Sequence, residues 1–238
     1  MNNVQIFDDA TLVAEAAAQQ TVAILKDAIR DRGSATWVLA GGTTPLLGYK
    51  ILAANYLDAI DWSKVTVLLG DERIGPMDGP DNNGSAVNQS LGDLSVVKLF
   101  PKVDQDSSTA AATYEQQLAT LPRGDSGLPR LDLIWLGVGE DGHTMSLFPR
   151  HDSILPSGGL VAAVASAPKP PANRISLTLR ALQGCTNAMI LATGSSKQNA
   201  VSEAIHGGHT PIAIAASIIK THEGTVTWLI DREAAPTD

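Results

Sequence analysis

The chain has 238 residues, of which 44% are hydrophobic and 4% aromatic, and it carries a formal net charge of −8. That length suits one large α/β domain, and that hydrophobic share supplies a sizeable, mainly aliphatic core. The acidic balance disfavours nucleic acid as a partner, and an anionic ligand would need a local cluster of donors set against the overall field.

Val4 to Phe7 reads as a short edge strand, and Asp8 or Asp9 can cap a helix beginning just after it. Apolar Leu12, Val13, Ala16, Ala17, Val22, Ile24, Leu25 and Ala28 recur at helical spacing, so residues 10–31 are expected to form an amphipathic helix ending near Gly33. Thr36 to Ala40 reads as a buried strand. Gly41-Gly42-Thr43-Thr44 comes next, with Thr44 as a helix cap and Pro45 at the first helical position. Free amides at a helix start attract anions, and small residues let a phosphate come close. A strand-to-helix turn with no ligand has the same pattern.

Val65 to Leu69 reads as another buried strand, followed at once by Gly70-Asp71-Glu72-Arg73. Arg73 can clamp a carboxylate or phosphate at two points, or simply form a surface ion pair. Residues 75–85 hold three glycines, two prolines and two asparagines and are expected to be a rim or lid loop. Ala110 to Leu121 reads as a helix, and Pro122 to Pro129 as a turn-rich linker.

Leu131 to Leu136 then suits a buried parallel strand. It stops at Gly137-Val138-Gly139, where Glu140, Asp141, His143 and Thr144 arrive together. Loops after the carboxyl ends of such strands bind ligands, and a histidine there changes charge near neutral pH. Asp141 is close enough in sequence to orient it. A glycine-rich turn with a solvated histidine is the plainer alternative.

Further on, Leu160 to Ala165 and Ile175 to Leu179 read as strands, with Pro168 to Pro171 stiffening the approach to Arg174. Asn187 to Ala192 is a further buried strand. Thr193-Gly194-Ser195-Ser196-Lys197 opens a helix through about Ile205, so Lys197 can reinforce an anion site. His206 and His209 lack a thiolate or carboxylate partner at metal-site spacing and suit a helix terminus. Pro211 to Ile219 reads as a helix and Val226 to Ile230 as the last strand. The alternation of buried strands with helices predicts a three-layer α/β sandwich spanning residues 1–238 as one domain. The lone Cys185 excludes an intrachain disulfide and favours a reducing compartment. With no signal-like amino terminus and no apolar run near the ~20 residues that span a bilayer, the expectation is a cytoplasmic protein without a membrane partner.

The polar loops together resemble the glucosamine-6-phosphate isomerase/6-phosphogluconolactonase family. The resemblance is carried by Leu39 to Pro45, Gly70 to Arg73, Gly139 to Thr144, Ser146 to Pro149, Lys169-Pro170-Pro171 with Arg174, and Thr193-Gly194 with Lys197, in family order along nearly the whole chain. Gly139 to Pro149 is the most specific of these. The resemblance implies a Rossmann-like fold with a mostly parallel central sheet. It also implies hydrolysis of 6-phospho-D-glucono-1,5-lactone to 6-phosphogluconate in the oxidative pentose phosphate pathway, with no metal or organic cofactor. The expected partner is the phosphosugar lactone alone, and the expected assembly a monomer or weak homodimer.

By the same resemblance, His143 is the general base, Asp141 fixes its tautomer, and Asp71 joins the catalytic group, binding sugar hydroxyls or positioning Arg73. Gly41, Gly42, Thr43 and Thr44 would hold phosphate with Arg174 and Lys197, and Arg73 would contact the phosphate or the sugar acid end. Met145 stands where the family usually has alanine, and Ile74-Gly75-Pro76 departs from its usual aromatic-valine-proline. In the deaminase branch the histidine motif ends Phe-Asn-Glu-Pro; here Phe148 takes the place of that glutamate, which disfavours a deaminase. A non-catalytic sugar-phosphate sensor is the remaining alternative.

Overall fold

The computed structural model describes residues 3–156 and 158–237. Seven strands form one wholly parallel sheet: β1 (Asn3–Phe7), β2 (Ala35–Leu39), β3 (Val65–Leu69), β5 (Val97–Leu99), β6 (Leu133–Gly137), β9 (Asn187–Ala192) and β10 (Thr225–Asp231), in the order β1-β10-β9-β6-β2-β3-β5. Strands β4 (Asp71–Arg73), β7 (Val161–Val164) and β8 (Arg174–Leu177) form a separate antiparallel sheet, ordered β4-β8-β7.

The period of two along each central strand divides the core into two layers. Trp37 and Leu39, Val67 and Leu69, Leu133 and Trp135, and Met189 and Leu191 face α1 (Ala10–Arg32), α2 (Thr43–Asn55) and α3 (Asn83–Leu91). Val38, Leu68, Ile134, Leu136 and Ile190 face α4 (Ser107–Leu118), α5 (Gln198–Ile205) and α6 (Pro211–Thr221). Both faces of the sheet are therefore covered, which is why its strands read as continuous apolar runs. Asp9 caps α1 by accepting from the amides of Thr11 and Leu12, and Gly33 ends it at φ 80°.

Several expectations are corrected. Helix α2 begins at Thr43, with Gly42 at φ 101° as its cap and no side-chain cap bond, so Thr44 lies inside the first turn. The segment 75–85 is not loop throughout: α3 starts at Asn83, because Asn82 accepts from the amide of Ser85 and the carboxylate of Glu72 accepts from those of Asn83 and Gly84. The polar triplet Asp71–Arg73 is a strand, paired with β8 rather than with the central sheet. Strand β8 also starts and ends earlier than the apolar alternation of 175–179 suggested, because Arg174 pairs with Arg73 in the ladder.

Candidate active site

In the strand order the chain runs outward from β2 in one direction and from β6 in the other. The crevice above the carboxyl ends of these two central neighbours is the switch point at which open α/β sheets bind ligands. A cavity of ≈ 250 Å³ lies there. Gly41, Gly42, Thr43, Thr44, Asp71, Arg73, His143, Arg174 and Lys197 all line it, although they come from the segments that follow four different central strands and from β8.

Two of those loops are held at their roots by buried phenols. The hydroxyl of Tyr49 accepts from the amide of Ala40 (2.9 Å) and donates to its carbonyl (3.0 Å). Tyr114 does the same for Leu69, at 2.9 and 2.8 Å. Burial pushes both phenols far above the ordinary tyrosine range, so both stay protonated.

The histidine loop is a tight turn. The amide of Gly142 donates to the carbonyl of Gly139 (2.9 Å) and that of Gly139 to the carbonyl of His143 (2.8 Å), with Gly142 at φ 77°. The imidazole folds back over Gly139, where a Cβ would overlap His143 Nδ1 and Cε1. His143 Nδ1 lies 2.5 Å from Asp141 Oδ1. Burial and hydrogen bonding set the proton distribution of this pair. Burial pushes His143 below the ordinary histidine value, and the pull of Asp141 toward the charged form does not offset it. Burial pushes Asp141 upward, but the hydrogen bond and charge of His143, with Lys169 nearby, hold it below the usual carboxylate range. The arrangement is a carboxylate accepting Nδ1–H from a neutral imidazole, which leaves Nε2 as a proton acceptor.

Asp71 is buried and fully engaged. Its Oδ2 accepts from Ser146 Oγ (2.6 Å) and lies 3.9 Å from Arg174 Nη1, and its Oδ1 accepts from Asn83 Nδ2 (3.3 Å). Arg73 donates from Nη1 to Asn83 Oδ1 (2.6 Å) and to the carbonyl of Asp81 (2.9 Å). Asn83 also sits where a Cβ on Gly41 would be, so glycine at 41 lets the two loops touch. Arg174 is turned inward: Nε donates to the carbonyl of Pro171 (2.9 Å), and Nη2 to those of Lys169 (2.9 Å) and Pro170 (3.0 Å). It thereby clips the loop that carries Lys169, whose Nζ lies 3.6 Å from Asp141 Oδ1 and which also lines the cavity.

At the other end Gly194 (φ 88°) precedes a short 3₁₀ turn, Ser195–Lys197, that leads into α5. Its amide is held by the carboxylate of Asp231. Thr44 Oγ1 and Thr193 Oγ1 lie 2.7 Å apart, joining this turn to the start of α2. No ion pair among the described residues uses Lys197. The cavity lining thus carries Arg73, Lys169, Arg174 and Lys197 with the carboxylate of Asp71, and Asp141 stands 3.6 Å from Lys169, which leaves a locally cationic surface in an acidic chain.

Sequence reasoning missed Asn83 and gave no role to Lys169. Asn83 lay within a segment read as loop. Lys169 stood in a quoted motif, but its nearness to Asp141 depends on the distant guanidinium of Arg174. Met145 lines the cavity at φ 51° and packs against Gly70. Among the described residues no group of three or more His, Cys, Asp or Glu side chains is placed to hold a metal ion. His206 ends α5, as a helix terminus should.

The profile of the family described as Glucosamine-6-phosphate isomerases/6-phosphogluconolactonase matches residues 8–228. A 6-phosphogluconolactonase of Streptomyces coelicolor is 38% identical, over 95% of this chain and 91% of that protein. One of Mycobacterium tuberculosis is 35% identical, over 98% of this chain and 97% of its own length. The solved 6-phosphogluconolactonase of Trypanosoma brucei superposes with a TM-score of 0.83 at 25% identity, covering 98% of this chain and 97% of that one. The profile match and the full-length relatives agree with the loops that meet at the switch point: the chain belongs to the glucosamine-6-phosphate isomerase/6-phosphogluconolactonase family.

Proposed function

We propose that this chain is a 6-phosphogluconolactonase, a carboxylic ester hydrolase that opens 6-phospho-D-glucono-1,5-lactone to 6-phosphogluconate in the oxidative pentose phosphate pathway. The observation that carries the reading is the imidazole of His143, bonded through Nδ1 to Asp141, at the wall of a cavity rich in cationic side chains. The names of the full-length relatives agree with it.

The chemistry arises from the groups present. His143 Nε2 takes a proton from water as the water oxygen bonds to the lactone carbonyl carbon. Asp141 holds the ring in the Nδ1–H tautomer and stabilises the imidazolium that forms. Negative charge grows on the former carbonyl oxygen, and Lys169 is a cation on the same side of the cavity as the Asp141–His143 pair. The imidazolium then returns the proton to the ring oxygen as the carbon–oxygen bond breaks, which leaves an open-chain acid. A group whose pKa lies near the working pH serves for both transfers.

The phosphate is assigned to the start of α2, at Gly41, Gly42, Thr43 and Thr44, with Lys197 supplying the countercharge. Arg73, held by Asn83, faces the phosphate or the sugar chain. Asp71 acts as a fixed anionic anchor rather than a base, since its carboxylate is engaged by Ser146 and Asn83. Arg174 acts on binding through the loop it clips, because Nε and Nη2 are committed to carbonyls. The proposed setting is one domain over residues 1–238, acting in the cytoplasm as a monomer or weak homodimer; among the described residues no helix is long and apolar enough to cross a membrane.

The test is pH-stat hydrolysis of freshly made 6-phosphogluconolactone with the spontaneous opening subtracted. Enzyme-dependent acid release supports the reading. Ammonia released from glucosamine 6-phosphate, with no acceleration of lactone opening, overturns it.

A further inference from the structure

Phe148 is fully buried, yet its ring reaches two groups of the cavity. Its centroid lies 4.7 Å from that of His143 at an interplanar angle of 37°, and Arg174 Cζ lies 5.4 Å from it. The ring is held from the side of the small sheet. Val164, at the end of β7, and Ala167 form a separate core cluster with it. Its amide donates to Ser153 Oγ (3.0 Å), the amide of Ser153 donates to His151 Nδ1 (3.0 Å), and His151 Nε2 donates to the carbonyl of Ala165 (3.0 Å). The His151 ring in turn meets Phe148 edge-on at 6.1 Å. Phe148 thus has a second support, from the small sheet and the His151–Ser153 turn, besides the short chain that joins it to the turn carrying His143.

We propose that Phe148 is a positioning residue for the reaction: its ring sets the plane of the His143 imidazole against Asp141 and seals one face of it from water. The inference rests on the lactonase reading for its kinetic consequence, but not for its structural one. The turn Gly139–His143 fixes the imidazole at its root, and Asp141 holds only Nδ1, so the ring could still swing about that hydrogen bond. A flat apolar surface at van der Waals range removes that freedom. This is the positioning that acid–base catalysis at a single atom requires.

Excluding water from the imidazole also favours its neutral form. The charged groups around it act in both directions: Asp141 and Asp71 favour the imidazolium, and Lys169 opposes it. Arg174 and His151 lie on the Phe148 ring itself. An aromatic ring also attracts a cation, but the guanidinium of Arg174, 5.4 Å from the Phe148 centroid, already draws on that attraction. Loss of shielding therefore sets the sign.

The experiment is an NMR titration of the His143 Cε1–H in the full chain and in Phe148→Leu, with kcat and KM for the lactone measured across pH. The expected result is a His143 proton affinity raised about threefold or more in the variant, with the acid limb of kcat/KM moving up equally. In addition kcat should fall by about tenfold or more while KM stays within about threefold. A folded variant whose His143 titrates unchanged, or at lower pH, overturns the proposal, as does a kcat within about twofold of wild type. Phe148→Met keeps the buried volume without the flat face and decides the matter if the leucine variant does not fold. If neither folds, the wild type decides: a His143 that titrates at or above the ordinary value near about 6.5 overturns the proposal. The titration needs no turnover, so it separates failure of this inference from failure of the lactonase reading.

Discussion

The hydroxyls of Thr44 and Thr193 meet at 2.7 Å, and this one bond ties the turn after β2 to the turn after β9. The two turns flank the proposed phosphate position, so their spacing sets how well an anion is held. Thr44→Val keeps the shape and removes the hydroxyl. We expect KM to rise about 2–10-fold, the cost of one net hydrogen bond, with kcat nearly unchanged. Initial rates across substrate concentration check it, and a fall in kcat at constant KM would contradict the assignment.

His143→Ala should lower kcat by about 10²–10⁴-fold with KM close to that of the wild type. The pH profile gives a second check. The base works as neutral imidazole, and burial holds its pKa below the ordinary histidine value. The acid limb of kcat/KM is therefore expected below about pH 6.5, with activity lost as pH falls through that limb. The same depression has a stability sign: as pH falls below about 6.5 the unfolded chain takes up this proton before the folded one does, so folding weakens on the acid side. Asp141→Asn removes a group that favours the imidazolium, so its acid limb should shift lower still, with kcat down by about 10²–10⁴-fold from loss of the tautomer.

Gly139→Ala tests the turn itself. The added Cβ would collide with the ring of His143 and approach Asp141 Oδ1 at 2.6 Å, so the imidazole must move. A displacement on the order of 1 Å costs about 10²-fold in turnover, and that loss is expected with the fold intact by circular dichroism. Wild-type kcat in this variant would show that the ring is not held as described.

For Arg174→Ala the expected change is in binding and stability together. The guanidinium is 4% exposed and bonds three consecutive carbonyls, so its removal orphans them and frees Lys169 from its position. We expect KM to rise and folding stability to fall by about 2–3 kcal/mol, from loss of bonds to a charged group. Denaturant titration alongside kinetics checks both. A variant as stable as the wild type would remove the clip from the account.

Six of the seven central strands were legible in the amino-acid sequence, most of them because a strand buried on both faces is an apolar run, and the loops that matter come directly after those runs; the edge strand β5, a mostly exposed Val-Lys-Leu, was not. Gly41 to Thr44, Asp71, Arg73, His143 and Lys197 were found on that logic, and they line one cavity. What escaped was stabilised from a distance. Strand β4 is three polar residues whose partner, β8, lies about a hundred positions away, and no local pattern announces such a pair. Helix α3 opens in a segment of glycine, proline and asparagine because the carboxylate of Glu72, from the strand before that segment, accepts its first amides. Thr44 had the composition of a cap, but Gly42 took that place, since glycine alone adopts without strain the positive φ needed there.

Tyr49 and Tyr114 have one more consequence. Each phenol closes both backbone groups of a single residue just below the cavity, and each belongs to a helix, one on either face of the sheet. The loops above Ala40 and Leu69 therefore cannot loosen at their bases unless an entire flanking helix lifts away. Breathing of the catalytic mouth is confined to the tips, and amide protons at these two roots should exchange with solvent only as slowly as the helices detach.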